Sequence, residues 1–98
     1  MDFTHPENKG FTIYSKSGCQ YCSIVKKIIK DNYFNYTEIN CDEYLIEDKE
    51  GFLDFIEKLA KISFKTFPMV FYDGKFLGGV TDTKERINNL LFSFEENF

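Results

Sequence analysis

The sequence predicts an α/β fold, a four-stranded mixed sheet flanked by three or more helices in the order β-α-β-α-β-β-α. Three observations carry that prediction. Short runs of aromatic and β-branched residues alternate with stretches whose apolar residues recur at helical spacing. A strand–helix–strand unit comes first, and a right-handed crossover then makes its two strands parallel. An Asp-Gly pair between two apolar runs marks a hairpin, which adds antiparallel strands.

Residues 1–9 are polar, carry Pro6 and read as a short lead-in with room for one helical turn. Residues 10–94 form the core of a single domain spanning 1–98. Phe11-Thr12-Ile13-Tyr14 is the first strand, broken by Ser17-Gly18. Val25, Ile28 and Ile29 then recur with lysines between them, giving an amphipathic helix from near Cys19 to Asp31-Asn32. Tyr36-Thr37-Glu38-Ile39 alternates as a second strand. Phe52, Phe55, Ile56 and Leu59 fall at i, i+3, i+4 and i+7 and predict a second helix over 46–61, preceded by acidic residues that suit a helix N-terminus. Met69–Tyr72, Asp73-Gly74 and Lys75–Leu77 form the hairpin, because both residues of a type I′ turn need positive φ. Gly78-Gly79 ends it. Asp82 with Glu85 three residues on resembles a capping box, and Ile87, Leu90, Leu91 and Phe94 give the third helical stripe.

Composition excludes several classes. A net charge of −4 and a single Arg, Arg86, are not the footprint of a nucleic-acid binder, and no polybasic run seeks an anionic membrane. No segment reaches the length of a membrane span. The acidic, polar start is not that of a signal peptide, so the expected address is a reducing cytoplasm. Three cysteines, an odd number, do not suggest a disulfide framework.

The chemistry sits in Cys19-Gln20-Tyr21-Cys22, placed after a strand and opening a helix. A helix N-terminus presents free N–H groups and the positive end of the dipole, so a thiolate at Cys19 is favoured, with Lys16 adding charge. Cys19 is expected to be exposed and of low pKa. Cys22, one turn later, is expected to face inward, placed to attack a mixed disulfide at Cys19. Half of a zinc site is the competing reading. Zinc needs four ligands, and only Cys41 and His5 remain, with no second closely spaced pair. No metal is therefore expected.

Three segments resemble the glutaredoxin family of the thioredoxin fold, in order and at the family's spacing. Tyr14-Ser15-Lys16-Ser17-Gly18-Cys19-Gln20-Tyr21-Cys22 is similar to its Tyr-Ser-Lys-x-x-Cys-Pro-Tyr-Cys active site. Thr66-Phe67-Pro68 is similar to its Thr-Val-Pro segment, and Gly78-Gly79-Val80-Thr81-Asp82 to its Gly-Gly-x-x-Asp segment. The similarity spans about residues 11–92. It implies a glutathione-dependent oxidoreductase that reduces protein disulfides and glutathione mixed disulfides, with Cys19 attacking and Cys22 resolving. Glutathione is the co-substrate, and Lys16, Tyr21, Thr66, Phe67, Pro68, Gly79, Thr81 and Asp82 bind it; Lys65 offers a second positive charge. In the family's pattern Pro68 is cis, and the backbone at Phe67 meets the cysteinyl part of glutathione. Thr81 and Asp82 hold the γ-glutamyl end. The implied partners are disulfide-bearing or glutathionylated proteins, ribonucleotide reductase among them, met by a monomer. Two departures stand out: Gln20 replaces Pro, and Phe67 replaces Val. Gln20 keeps open a second reading, a carrier of a glutathione-ligated [2Fe–2S] cluster, which Cys22 disfavours. A thioredoxin is a third; the absence of Trp, with Lys16, Gly78-Gly79 and Asp82, speaks against it. Cys41 reads as a partly buried spectator.

Overall fold

The computed structural model describes the backbone of residues 1–96 and side-chain surroundings up to Ser93. Its elements are β1 (Phe11–Ser15), α1 (Gln20–Asp31), β2 (Tyr36–Asn40), α2 (Asp42–Ala60), β3 (Met69–Tyr72), β4 (Lys75–Gly78) and α3 (Val80–Glu96). The strand order is β2-β1-β3-β4. β1 and β2 run parallel, with Ile13 opposite Glu38; β1 and β3 run antiparallel, with Ile13 opposite Val70. β3 and β4 form the hairpin, and Asp73 and Gly74 at its turn have φ of 51° and 78°. The predicted order and turn are therefore the observed ones.

Central strands covered on both faces read as continuous apolar runs. Alternation along β1 sends Phe11 and Ile13 to one face and Tyr14 to the other. On the first face they pack with Val25 and Ile29 of α1, Val70 of β3 and Ile87 of α3. On the second, Tyr14, Met69 and Phe71 meet Phe52 and Ile56 of α2, together with Cys41. That face is built of rings. Phe52, fully buried, has the rings of Phe3, Tyr14, Tyr44, Phe55 and Phe67 within 6.4 Å of its own. Each such pair adds about 0.5–1.5 kcal/mol beyond the area it buries.

Four local expectations need correction. The lead-in holds no helical turn. It is an extended strap: Phe3 packs edge-on against Tyr44 at 5.0 Å, His5 packs on Phe55, and the Tyr14 hydroxyl donates to the Thr4 carbonyl at 2.6 Å. The second helix starts at Asp42, not 46, and is kinked at Asp48, whose φ of −155° is not helical. The Asp48 carboxylate accepts the Gly51 N–H at 3.1 Å and so caps the second segment, the one the apolar periodicity detects. Asp82 does not begin α3 but lies in its first turn, with Oδ2 accepting the Gly79 N–H at 3.3 Å, the reach-back half of a capping box. Gly78 has φ 135°, a backbone conformation that favours glycine, and a Cβ there would also crowd the Asp82 carboxylate. Finally, the inward stripe of α3 runs through Thr83, Ile87 and Leu90, whereas Leu91 is 38% exposed. Phe94 lies outside the described side chains.

Deleting a ring from the aromatic face leaves a cavity that the rigid sheet cannot collapse. Phe52→Ala is expected to destabilise the fold by about 3–5 kcal/mol in urea melts, a large share of a small domain's stability.

Candidate active site

Parallel pairing of β1 and β2 places the loop after β1 at one end of the sheet, and α1 begins there. Cys19 is the N-cap of α1, with extended φ and ψ of −95° and 107°. Its Sγ accepts the Cys22 N–H at 3.1 Å, so sulfur does the work that a Ser or Asp oxygen does at other helix starts. The same N–H stands against the thiolate that reduction releases, and charge-assisted bonds of this kind are the strong ones. Cys19 is partly exposed and Cys22 is 2% exposed. The two are joined as a disulfide with Cα atoms 5.3 Å apart.

A groove of about 610 Å³ opens beside Cys19. Of the predicted glutathione residues, Lys16, Tyr21, Thr66 and Phe67 line it, and so does Lys65. Tyr21 is 62% exposed at its rim. The ring of Phe67 lies parallel to that of Phe52, 6.2 Å away, and the Lys16 ammonium sits 5.5 Å from the Phe67 centroid. The Phe67–Pro68 peptide is cis, and buried Pro68 has its carbonyl beside Gly79. Gly79, Thr81 and Asp82 are not brought into this groove. The Asp82 carboxylate is turned back to its own helix start and lines a separate cleft with Arg86.

Three groove residues escaped the sequence reading: Leu45, Lys49 and Leu53. They recur at i, i+4 and i+8, but the predicted 46–61 helix leaves out Leu45, and the kink at Asp48 interrupts the pattern. Lys49 brings the ammonium groups lining this groove to three, with no carboxylate in the lining. That is a local reversal in a chain of net charge −4. On the opposite side of Cys19, Glu38 accepts from Ser15 Oγ at 2.7 Å and pairs with Lys26 at 2.9 Å. These partners, Ser15 foremost, hold its carboxyl below the usual range.

Cys41 is wholly buried, more deeply than the sequence suggests, and donates to the Ile39 carbonyl at 3.4 Å. Burial pushes its thiol up to about 12. It stands apart from the redox pair, as the free cysteine of the chain.

A thioredoxin-type sheet with a Cys-x-x-Cys pair capping its first helix defines a dithiol redox protein of the thioredoxin-fold class. The Glutaredoxin family model matches residues 11–77. The mitochondrial glutaredoxin-2 of Mus musculus is 37% identical over 76 residues, covering 78% of this chain and 46% of that protein. This chain thus spans under half the length of the mammalian relatives it matches. Glutaredoxin 1 from Francisella tularensis, solved with cacodylate, superposes with a TM-score of 0.72 at 26% identity, covering 83% of this chain and 94% of that one. The buckwheat glutaredoxin–glutathione complex gives a TM-score of 0.67 at 26% identity, over 85% and 72%. The chain belongs to the glutaredoxin family.

The buried thiol sets an alkaline limit. Its folded pKa is raised, so between about pH 9 and 12 the unfolded chain has lost a proton that the folded chain keeps. Stability is therefore present in full below pH 9 and falls by about 1.4 kcal/mol per pH unit above it. Urea melts between about pH 9 and 10 measure the slope, and Cys41→Ala flattens it there; at higher pH buried Tyr14, whose hydroxyl pKa is also raised by burial, adds a loss of its own. At pH 8 the oxidised, folded protein is expected to show no thiol to a colorimetric reagent and one after denaturation.

Proposed function

We propose that this chain is a glutathione-dependent thiol–disulfide oxidoreductase. The observation that carries the reading is the sulfur N-cap: Cys19 Sγ, held at the start of α1 by the Cys22 N–H, opens into a groove ringed by three lysines. The Cys19 thiolate attacks one sulfur of a disulfide, and the other sulfur leaves as a thiol after taking up a proton. With a glutathionylated substrate, glutathione stays on Cys19, and a second glutathione thiolate releases it as glutathione disulfide. With a protein disulfide, Cys22 displaces the substrate and closes the 19–22 bond, which two glutathiones then reopen. Glutaredoxin couples lie at roughly −200 to −230 mV, near the glutathione pool, so that pool sets the direction.

Lys16, Lys49 and Lys65 suit the carboxylates of glutathione, and Tyr21 and Phe67 suit its cysteinyl stem. The glutathione bound in the buckwheat complex supports that ligand. Thr66 and Pro68 belong to the same reading; Gly79, Thr81 and Asp82, which stand outside the groove, join it only as the γ-glutamyl positions that the family resemblance implies. Two cysteines in contact favour dithiol chemistry over cluster carriage. Disulfide-bearing and glutathionylated proteins are the proposed partners, ribonucleotide reductase among them, met by a monomer. The names of the mammalian relatives place those proteins in mitochondria, so they do not favour the cytoplasm; the compartment proposed here is one with a reducing glutathione pool.

In a glutathione-coupled mixed-disulfide assay, Cys19→Ser is expected to abolish turnover. Cys22→Ser is expected to keep deglutathionylation while losing protein-disulfide reduction. Equal loss in both would refute the assigned roles. Lys49→Gln is expected to raise KM for glutathione about 2–5-fold with kcat little changed, the size of one partly screened charge pair.

A further inference from the structure

The Lys16–Gly18 turn, which carries the ammonium nearest in sequence to Cys19, is held from outside by a residue that belongs to neither the groove nor the cysteine motif. Asp42, in the first turn of α2, accepts the Ser17 N–H on Oδ1 at 2.9 Å and the Ser17 hydroxyl on Oδ2. Asp42 is itself fixed, because its own N–H donates to Asn40 Oδ1 at 2.9 Å. The residue before it, Cys41, donates its N–H to the Ser15 carbonyl at 2.8 Å. The ends of β1 and β2 and the start of α2 are thus stitched by backbone N–H groups, and one carboxylate ties the loop before Cys19 to them. Gly18, at φ 72°, is the free joint between that clamp and Cys19.

We propose that Asp42 is a positioning residue of the redox site: by clamping Ser17 it holds the Lys16 ammonium where it serves both the Cys19 thiolate and an incoming carboxylate. Lys16 lines the clefts on both sides of Cys19, so a loose turn would weaken the site in both roles. The bonds to Ser17 hold the Asp42 carboxyl below its ordinary range, so the clamp is charged at neutral pH. The charge of Asp42 works the other way, since a carboxylate near a thiolate raises the thiol pKa. Position and charge are therefore separable by substitution. Asp42→Asn removes the charge but keeps the clamp: Oδ1 accepts the Ser17 N–H and Nδ2 donates to its hydroxyl. Asp42→Ala removes both.

The role in substrate binding rests on the glutathione reading; the effect on Cys19 does not. Two measurements on the reduced full chain keep them apart, the pH profile of Cys19 alkylation by iodoacetamide, read by mass spectrometry, and KM for glutathione in the mixed-disulfide assay. The other charged groups lining the clefts beside Cys19, namely Lys26, Lys49, Lys65 and Glu38, are common to both variants, so the comparison isolates the placement of Lys16. The Asp42→Ala profile is expected about half a pH unit or more above that of Asp42→Asn, the size of a displaced neighbouring charge. Its KM is expected several-fold higher than that of Asp42→Asn, with the latter close to wild type. Coincident profiles for the two variants, with wild type turning over glutathione, would overturn the role of Asp42 alone. Wild type without glutathione turnover would overturn the proposed function and leave the alkylation comparison to decide the positioning role. Should Asp42→Ala not fold, Ser17→Ala takes its place, since it removes one bond and keeps the charge. A raised Cys19 profile there supports the clamp, and a wild-type profile with wild-type KM overturns it.

Discussion

The structure is arranged around one unsatisfied set of groups, the N–H donors at the start of α1. Every helix begins with donors that have no partner in the helix, and most proteins answer them with oxygen or water. Here a sulfur answers, through the Cys22 N–H to Cys19 Sγ. A helix N-terminus favours the anionic form of a sulfur held there, and reactivity follows from that bias. The rest of the fold delivers this one turn to the surface with its sulfur partly open and its partner Cys22 sealed beneath.

The sheet does so by dividing labour between its faces. The α1 and α3 face is largely aliphatic and seats α1 through Val25 and Ile29. The α2 face is aromatic, and its stack of Phe52 on Phe67 reaches the groove floor directly. Packing energy and site geometry are coupled there, because the ring that faces the ligand groove is one plane removed from the centre of the core. Charge is divided as well. Three lysines line the groove beside Cys19, while the acidic first segment of α2 sends one carboxylate, that of Asp42, back toward the loop before it.

The architecture was legible because its signals are local and repeated: period-two strands, helical stripes and an Asp-Gly turn at which both residues do take positive φ. The redox pair was legible for the same reason, being four residues with their own context. What escaped depends on the third dimension. The kink at Asp48 divides α2 into a segment with strong apolar periodicity and one without, and only the former announces itself. Lys49 lies next to that kink and lines the groove with Leu45 and Leu53, a grouping that crosses the break in the helix. Asp82 was displaced from helix start to first turn because Gly79 takes the cap, a role glycine fills without a side-chain signature. The grouping of Gly79, Thr81 and Asp82 with the groove came from resemblance, whereas the side-chain geometry turns Asp82 elsewhere.

Cys41 gives the molecule a fixed electron count. Two sulfurs trade a single pair of electrons, and the third is walled in among Tyr14, Phe52 and Ile56 with no path to either. Disulfide pairing within the folded chain is therefore confined to Cys19 and Cys22. Within the folded chain that bond has no third exposed sulfur to migrate to, because Cys41 is buried away from solvent. Stoichiometry, normally left to the surrounding redox chemistry, is here enforced by a wall of aromatic carbon.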